Sequence, residues 1–141
     1  MKSLGMLLGR WFISAIFLFA ASQKLLNWDA TSAYMASKGF TMVPLFLAGA
    51  MVLEFIGGLA LFLGVKTRLA ALVLAIFLIP TTVIFHDFWT LPAGEAQALQ
   101  LTMFLKNCAI FGGLLYILTI GAGNISMDHH RWKKQVDVVE E

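Results

Sequence analysis

Charge is scarce in this chain, and so are cysteine and proline. Of 141 residues only 13% are charged, one is cysteine and three are proline. With one cysteine, no intramolecular disulfide and no paired-thiol redox centre can form. No His/Cys spacing of a metal site occurs either, and Cys108, inside an apolar run, reads as a small packing residue. The net charge of +2 comes from ten scattered Lys and Arg against eight Asp and Glu. That lacks the basic face a nucleic acid would need, so no nucleic-acid partner is expected. His129 and His130 fall in a polar tail and read as solvated surface.

What the chain has instead is apolar surface. It is 60% hydrophobic with a mean hydropathy of +0.83. So few charged groups cannot cover a water-soluble fold with that much apolar surface, whereas lipid accepts it. Crossing the hydrocarbon core takes about 20 apolar helical residues. Four stretches qualify, roughly Gly5 to Leu26, Pro44 to Gly64, Arg68 to Trp89 and Gln97 to Ile120. Each is continuous rather than alternating, which excludes barrel strands. The expected fold is therefore all-α, an integral membrane bundle of four transmembrane helices in a single domain over residues 1–141, with a short tail at 121–141. Between the first two spans, Asp29 to Lys38 reads as a short interfacial helix with Asp29 as N-cap and Gly39 as terminator. The segment from Lys2 to Ser22 has the outline of a signal peptide. Apolar character resumes at Leu25 and Leu26, however, and three further spans need an N-terminal partner, so it is read as a retained span.

Lys2, Arg10, Lys66, Arg68, Arg131, Lys133 and Lys134 gather at one end of the expected bundle, which places both termini in the cytoplasm. Trp11, Trp28, Trp89 and Trp132 fall near span ends, as interfacial anchors do.

Ionisable groups inside spans are costly and point to function. Besides Arg10, an expected inner-face anchor, they are Lys24, Glu54, His86, Asp87 and Lys106, with Asn107 beside the last. At ~1.5 Å per residue Glu54 lies about 15 Å below Pro44, near the midplane, and the others lie in the outer half. Steps of three and four align Arg10, Ser14, Phe17, Ala21 and Lys24 on the first helix, and Ala50, Glu54, Gly57, Leu61 and Gly64 on the second. They also align Thr82, His86 and Trp89 on the third, and Thr102, Lys106, Ala109 and Gly113 on the fourth. The ionisable groups are expected to face one another in the interior, Lys24 and Lys106 offsetting Glu54 and Asp87. Pro80 is expected to kink the third helix and widen the outer half into a cavity. The plainer reading makes Lys24 and Asp87 interfacial snorkels and Glu54–Lys106 a structural ion pair.

These segments also carry a resemblance. FAASQKLL (19–26), YMASKGFTMVP (34–44), Glu54 with Gly57-Gly58, GVKTRLAAL (64–72), HDFW (86–89), KNCAIFGGLL (106–115) and GAGNISMD (121–128) follow the order and spacing of the DoxX family. The chain resembles these small four-helix bacterial membrane proteins over nearly its whole length. The resemblance implies a bacterial cytoplasmic (inner) membrane location. It also implies an accessory role beside a quinone-linked oxidoreductase, since the family takes its name from a membrane subunit linked to a thiosulfate:quinone oxidoreductase. The sequence shows no haem-ligand pair or flavin motif of its own.

Three functions remain open. The first is binding a quinone or similar lipophilic molecule, with His86, Lys106 and Asn107 as hydrogen-bond donors and Glu54 as proton relay, in the service of an oxidoreductase. The second is translocation of a small solute or protons, opposed by the lack of ionisable groups in the inner half beyond Arg10. The third is a non-catalytic anchor or scaffold for a protein partner in a redox or stress-response complex.

Overall fold

The computed structural model describes residues 2–130. Within them every expected span is a helix: α1 (Lys2–Leu26), α3 (Val43–Leu63), α4 (Thr67–Phe85) and α5 (Glu95–Ile120). A short α2 (Trp28–Ser37) lies between α1 and α3, and a 3-10 turn, Phe88–Thr90, lies between α4 and α5. Four helices are long and apolar enough to cross a membrane, the third counted from Thr67 to Thr90. The chain is an integral membrane four-helix bundle, and no strand occurs among the described residues.

Local chemistry sets the boundaries. Pro44 sits in the first turn of α3, where its missing N–H is harmless. Gly64 ends that helix in the left-handed region at φ 71°. Gly39, at φ 88°, follows α2 as expected. Asp29 is not the N-cap of α2: that place belongs to Asn27, and Asp29 falls in the first turn. There a carboxylate still favours the helix through the peptide dipoles. Helix α4 runs through Pro80 without a break in its assignment and stops at Phe85, short of the expected end.

Successive spans are antiparallel, and α1 lies along α3. The buried stripe of α1 is Arg10, Ser14, Phe17 and Ala21, the face that the three/four spacing picks out. Ser14 Oγ donates to the Gly58 carbonyl at 2.7 Å. Close approach is possible because α3 has Gly58 against α1, with Gly57 doing the same against α4. A Cβ on Gly57 would stand 2.9 Å from Leu74, and one on Gly58 3.1 Å from Leu18. The core is built by Phe17, Leu61, Leu74, Ala71, Leu78 and Leu114, with a smaller cluster of Met35, Val43 and Leu47 under α2.

At the end that carries both described termini, three contacts tie the helices together. Arg10 is a buried tie there rather than an interfacial anchor: it is 2% exposed and donates to the carbonyls of Ala122 and Ile125 at 2.6 and 3.0 Å. Asp128 accepts from the backbone N–H groups of Lys66 and Thr67 and from Thr67 Oγ1, all within 2.9 Å, and so caps α4. Arg68 donates to the Thr119 carbonyl at 3.2 Å. His129 is half-buried beside this lock rather than fully solvated, and His130 is exposed. Trp11 stacks on Phe62 and donates to its carbonyl at 3.2 Å, whereas Trp132 lies outside the described residues.

Candidate functional site

The six polar residues singled out from the sequence do not form one cluster. They divide into an ion pair between α1 and α3, an ion pair at the loop end, a seam between α4 and α5, and one residue that stands apart.

Lys24 and Glu54 form the first pair. Nζ donates to Oε1 at 2.8 Å and lies 2.8 Å from Oε2, so the ammonium meets both carboxylate oxygens. The Glu54 side chain is 5% exposed and that of Lys24 23%. Ser14 and Gly58 are level with each other, so ~1.5 Å per residue puts the Lys24 backbone ~9 Å nearer the loop end than that of Glu54. The lysine stem spans this gap by pointing into the membrane, and Lys24 is therefore no snorkel.

Asp87 belongs to the second pair. Lys38, just after α2, donates to its Oδ1 at 2.6 Å, and Tyr34 donates to the Phe85 carbonyl at 3.0 Å. Together they fasten α2 onto the end of α4. The hydrogen bond to Asp87 is the main reason the Lys38 pKa is raised above the ordinary lysine value.

His86 occupies the seam. Helix α4 ends before it, and its Nδ1 lies 2.8 Å from Gln100 Oε1 on α5. Gln100 went unnoticed in the sequence because it is uncharged, although it shares a face with Phe104, Asn107 and Phe111 at steps of four and three. Asn107 is 7% exposed, and its carboxamide has no hydrogen-bond partner among the described residues. It lies in a cleft of about 180 Å³ whose other walls include Leu78, Ile79, Thr82, Phe104 and Phe111. The cleft flanks Pro80, where a widening was expected. It is a local groove between α4 and α5, and Glu54 is not among its lining residues. Thr82 Oγ1 donates to the Leu78 carbonyl at 2.6 Å, which leaves the Asn107 carboxamide and the Cys108 thiol as the unengaged groups of the cleft among the described residues.

Two expectations fail. Lys106 does not face the interior: it is exposed, and among the described residues its Nζ meets only Met103 Sδ, at 3.4 Å. Neither a Glu54–Lys106 pair nor an Asp87–Lys106 balance forms. The spacing correctly put Thr102, Lys106, Ala109 and Gly113 on one face, but α5 is apolar all round and the buried face is that of Asn107, Leu114 and Ile117. Cys108 is exposed rather than packed, for the same reason.

A wider opening of about 560 Å³ lies at the opposite end of the bundle, bordered by Lys66, Arg68, Asn124 and Asp128. None of the sequence-derived candidates reaches it.

Comparison with known proteins agrees with this architecture. The DoxX family model matches residues 5–87, and a model described as SURF4 family matches residues 50–135. The chain is 33% identical over 136 residues to Inner membrane protein YqjF of Escherichia coli K12, covering 95% of this chain and 97% of that protein. It is 32% identical over 123 residues to Inner membrane protein YphA of the same organism, covering 87% of each. A shorter match, 36% over 72 residues, is to the Surfeit locus protein 4 homolog of Drosophila melanogaster, covering 50% of this chain and 27% of that protein. No solved structure matches the chain.

Proposed function

The chain belongs to the DoxX family, and from that premise we propose that it is an accessory subunit of a quinone-linked redox system in a bacterial inner membrane. In this reading the cleft between α4 and α5 takes a quinone-like head group. The observation that carries it is Asn107, 7% exposed as a residue, whose carboxamide reaches an apolar groove without a hydrogen-bond partner among the described residues, beside the exposed Ile79, Val83 and Cys108. An amide that opens onto an apolar, lipid-facing groove without a hydrogen bond is costly, so a ligand oxygen that accepts from Asn107 has a place to bind. The groove walls, Leu78, Phe104 and Phe111 among them, suit a flat apolar ring, and entry from the lipid suits a molecule with an isoprenoid tail. A bound quinone would supply two-electron, two-proton redox capacity. The chain's own part is to orient the head group at Asn107, with the His86–Gln100 pair two turns nearer the loop end on the same seam.

Translocation is poorly supported, because Ser14, Phe17 and Leu61, each at most 3% exposed, pack the bundle between the Glu54 level and Arg10. The test is mass spectrometry of small molecules that copurify in native-lipid particles. Wild type is expected to retain a quinone well above its level in the surrounding lipid, and Asn107→Leu to lose at least tenfold of it. Quinone at the bulk-lipid level in wild type, or equal retention by Asn107→Leu, would remove the reading.

A further inference from the structure

Lys106 is the residue that the bundle leaves unexplained. It lies eleven residues into α5, ~16 Å from the start of that helix, in the middle of an apolar span. Charged side chains at such positions almost always face the bundle interior or pair with another charge. Lys106 does neither, since among the described residues its ammonium touches only a thioether. Helix geometry turns the side chain toward the loop end, but at the level of Met103 it remains ~9 Å below Gln97, within hydrocarbon. The face around it also departs from a lipid-facing composition. Thr102 and Ala109 are exposed with it on the same face, and only two turns further on, at Gly113, does that face meet Ile13 of α1. Small and hydroxyl residues of this kind let a second helix approach closely.

We propose that this face of α5 is the docking surface for a transmembrane helix of a different protein, and that the helix carries an Asp or Glu opposite Lys106. Charge complementarity selects the partner. A second copy of this chain cannot supply the carboxylate. Among its acidic residues only Glu54 lies deep within a span, and it is buried against Lys24. Asp87 is held by Lys38 at the loop end, and Asp128 caps α4 at the other. Two copies meeting along α5 in the same orientation would set Lys106 against Lys106. A free lipid acyl chain offers no countercharge at this depth. The proposal rests on Lys106 and its neighbours and does not depend on the quinone reading.

The test is photocrosslinking in native membranes from a probe at Ala109 of the full chain, with Ile56 on the exposed face of α3 as control. The expected product, absent from the Ile56 control, is one other protein that mass spectrometry and its sequence show to have a transmembrane segment with a mid-span carboxylate. Its yield should fall at least tenfold in Lys106→Asp and return when the partner's carboxylate is changed to Lys. Lys106→Met, which loses only the Met103 contact, should reach the membrane at wild-type level and crosslink as weakly as Lys106→Asp. Crosslinks only to lipid or to a second copy, no crosslink at all, or a yield unchanged in Lys106→Met would overturn the proposal.

Discussion

A lysine two residues from the end of a membrane helix ordinarily turns its ammonium toward the interface. Lys24 turns it inward because Glu54, 5% exposed by its side chain, pairs with no other cation among the described residues. Each charge makes the other tolerable, so removing one should cost more than removing both. Lys24→Met is expected to destabilise the bundle by about 3–5 kcal/mol, as for other broken buried pairs. Lys24→Met/Glu54→Gln should recover more than half of that, read by thermal or detergent denaturation in lipid particles. Simple additivity of the two single changes would mean that the pair is not coupled. Asn107 presents the opposite case. Its carboxamide contributes no hydrogen bond within the chain, so Asn107→Leu should leave stability within about 1 kcal/mol of wild type, or raise it. A larger loss would reveal a structural partner for the amide and weaken its assignment to a ligand.

At the level of the element, the junctions are where sequence and structure part company. The α1 stripe from Arg10 to Lys24 was legible because α1 and α3 bury one narrow face each, with glycines marking the contact. The orientation of α5 was not legible, because its apolar residues run all round and only the neighbour it packs on selects the Asn107 face. The Lys38–Asp87 pair was missed for a different reason: Lys38 belongs to a loop helix, and no spacing rule links it to a residue 49 positions away. That pair fastens α2, and its pH dependence has a definite sign. Lys38 has a raised pKa in the folded state, so the tie contributes fully below the ordinary lysine value of 10.5 and is lost as pH rises through the raised one. Spin labels on Ser37 and Thr90 should hold one distance at neutral pH and separate in strong alkali, or in acid strong enough to protonate Asp87, while Lys38→Met should show the separated distance throughout. At the other end, Gly64 has φ 71°, and a Cβ there would stand 2.6 Å from Ser126 Cβ and 2.7 Å from Arg10 Nη1. Gly64→Ala should therefore cost about 2 kcal/mol or more. Gly49→Ala, in α3 with nothing within 4 Å, should instead stabilise by about 0.5–1 kcal/mol. Equal effects at the two sites in a denaturation series would contradict this account of the lock.

Across the whole molecule the two ends of the bundle differ in chemistry. The loop end has its cations committed: Lys38 is paired with Asp87, and Lys24 is drawn inward to Glu54. At the other end Arg10 is consumed by carbonyls, but Lys2, Lys66 and Arg68 are exposed, and the sequence beyond residue 130 adds Arg131, Lys133 and Lys134. Free cations close to span ends are what the insertion machinery retains on the cytoplasmic side, whereas carboxylates count for little. The loop end offers only Lys24 and Lys38 to compete with these cations, so the asymmetry that the sequence shows stands whatever their pairing. We therefore expect the end with both termini to face the cytoplasm, which would put the α4–α5 seam and the Lys24–Glu54 pair in the outer half. A fluorescent protein fused after Glu141 should be bright, and alkaline phosphatase at the same position inactive. Phosphatase inserted at Ala93, in the exposed turn before α5, should be active. The reverse pattern would invert the molecule, and the polar seam would then open toward the cytoplasmic half.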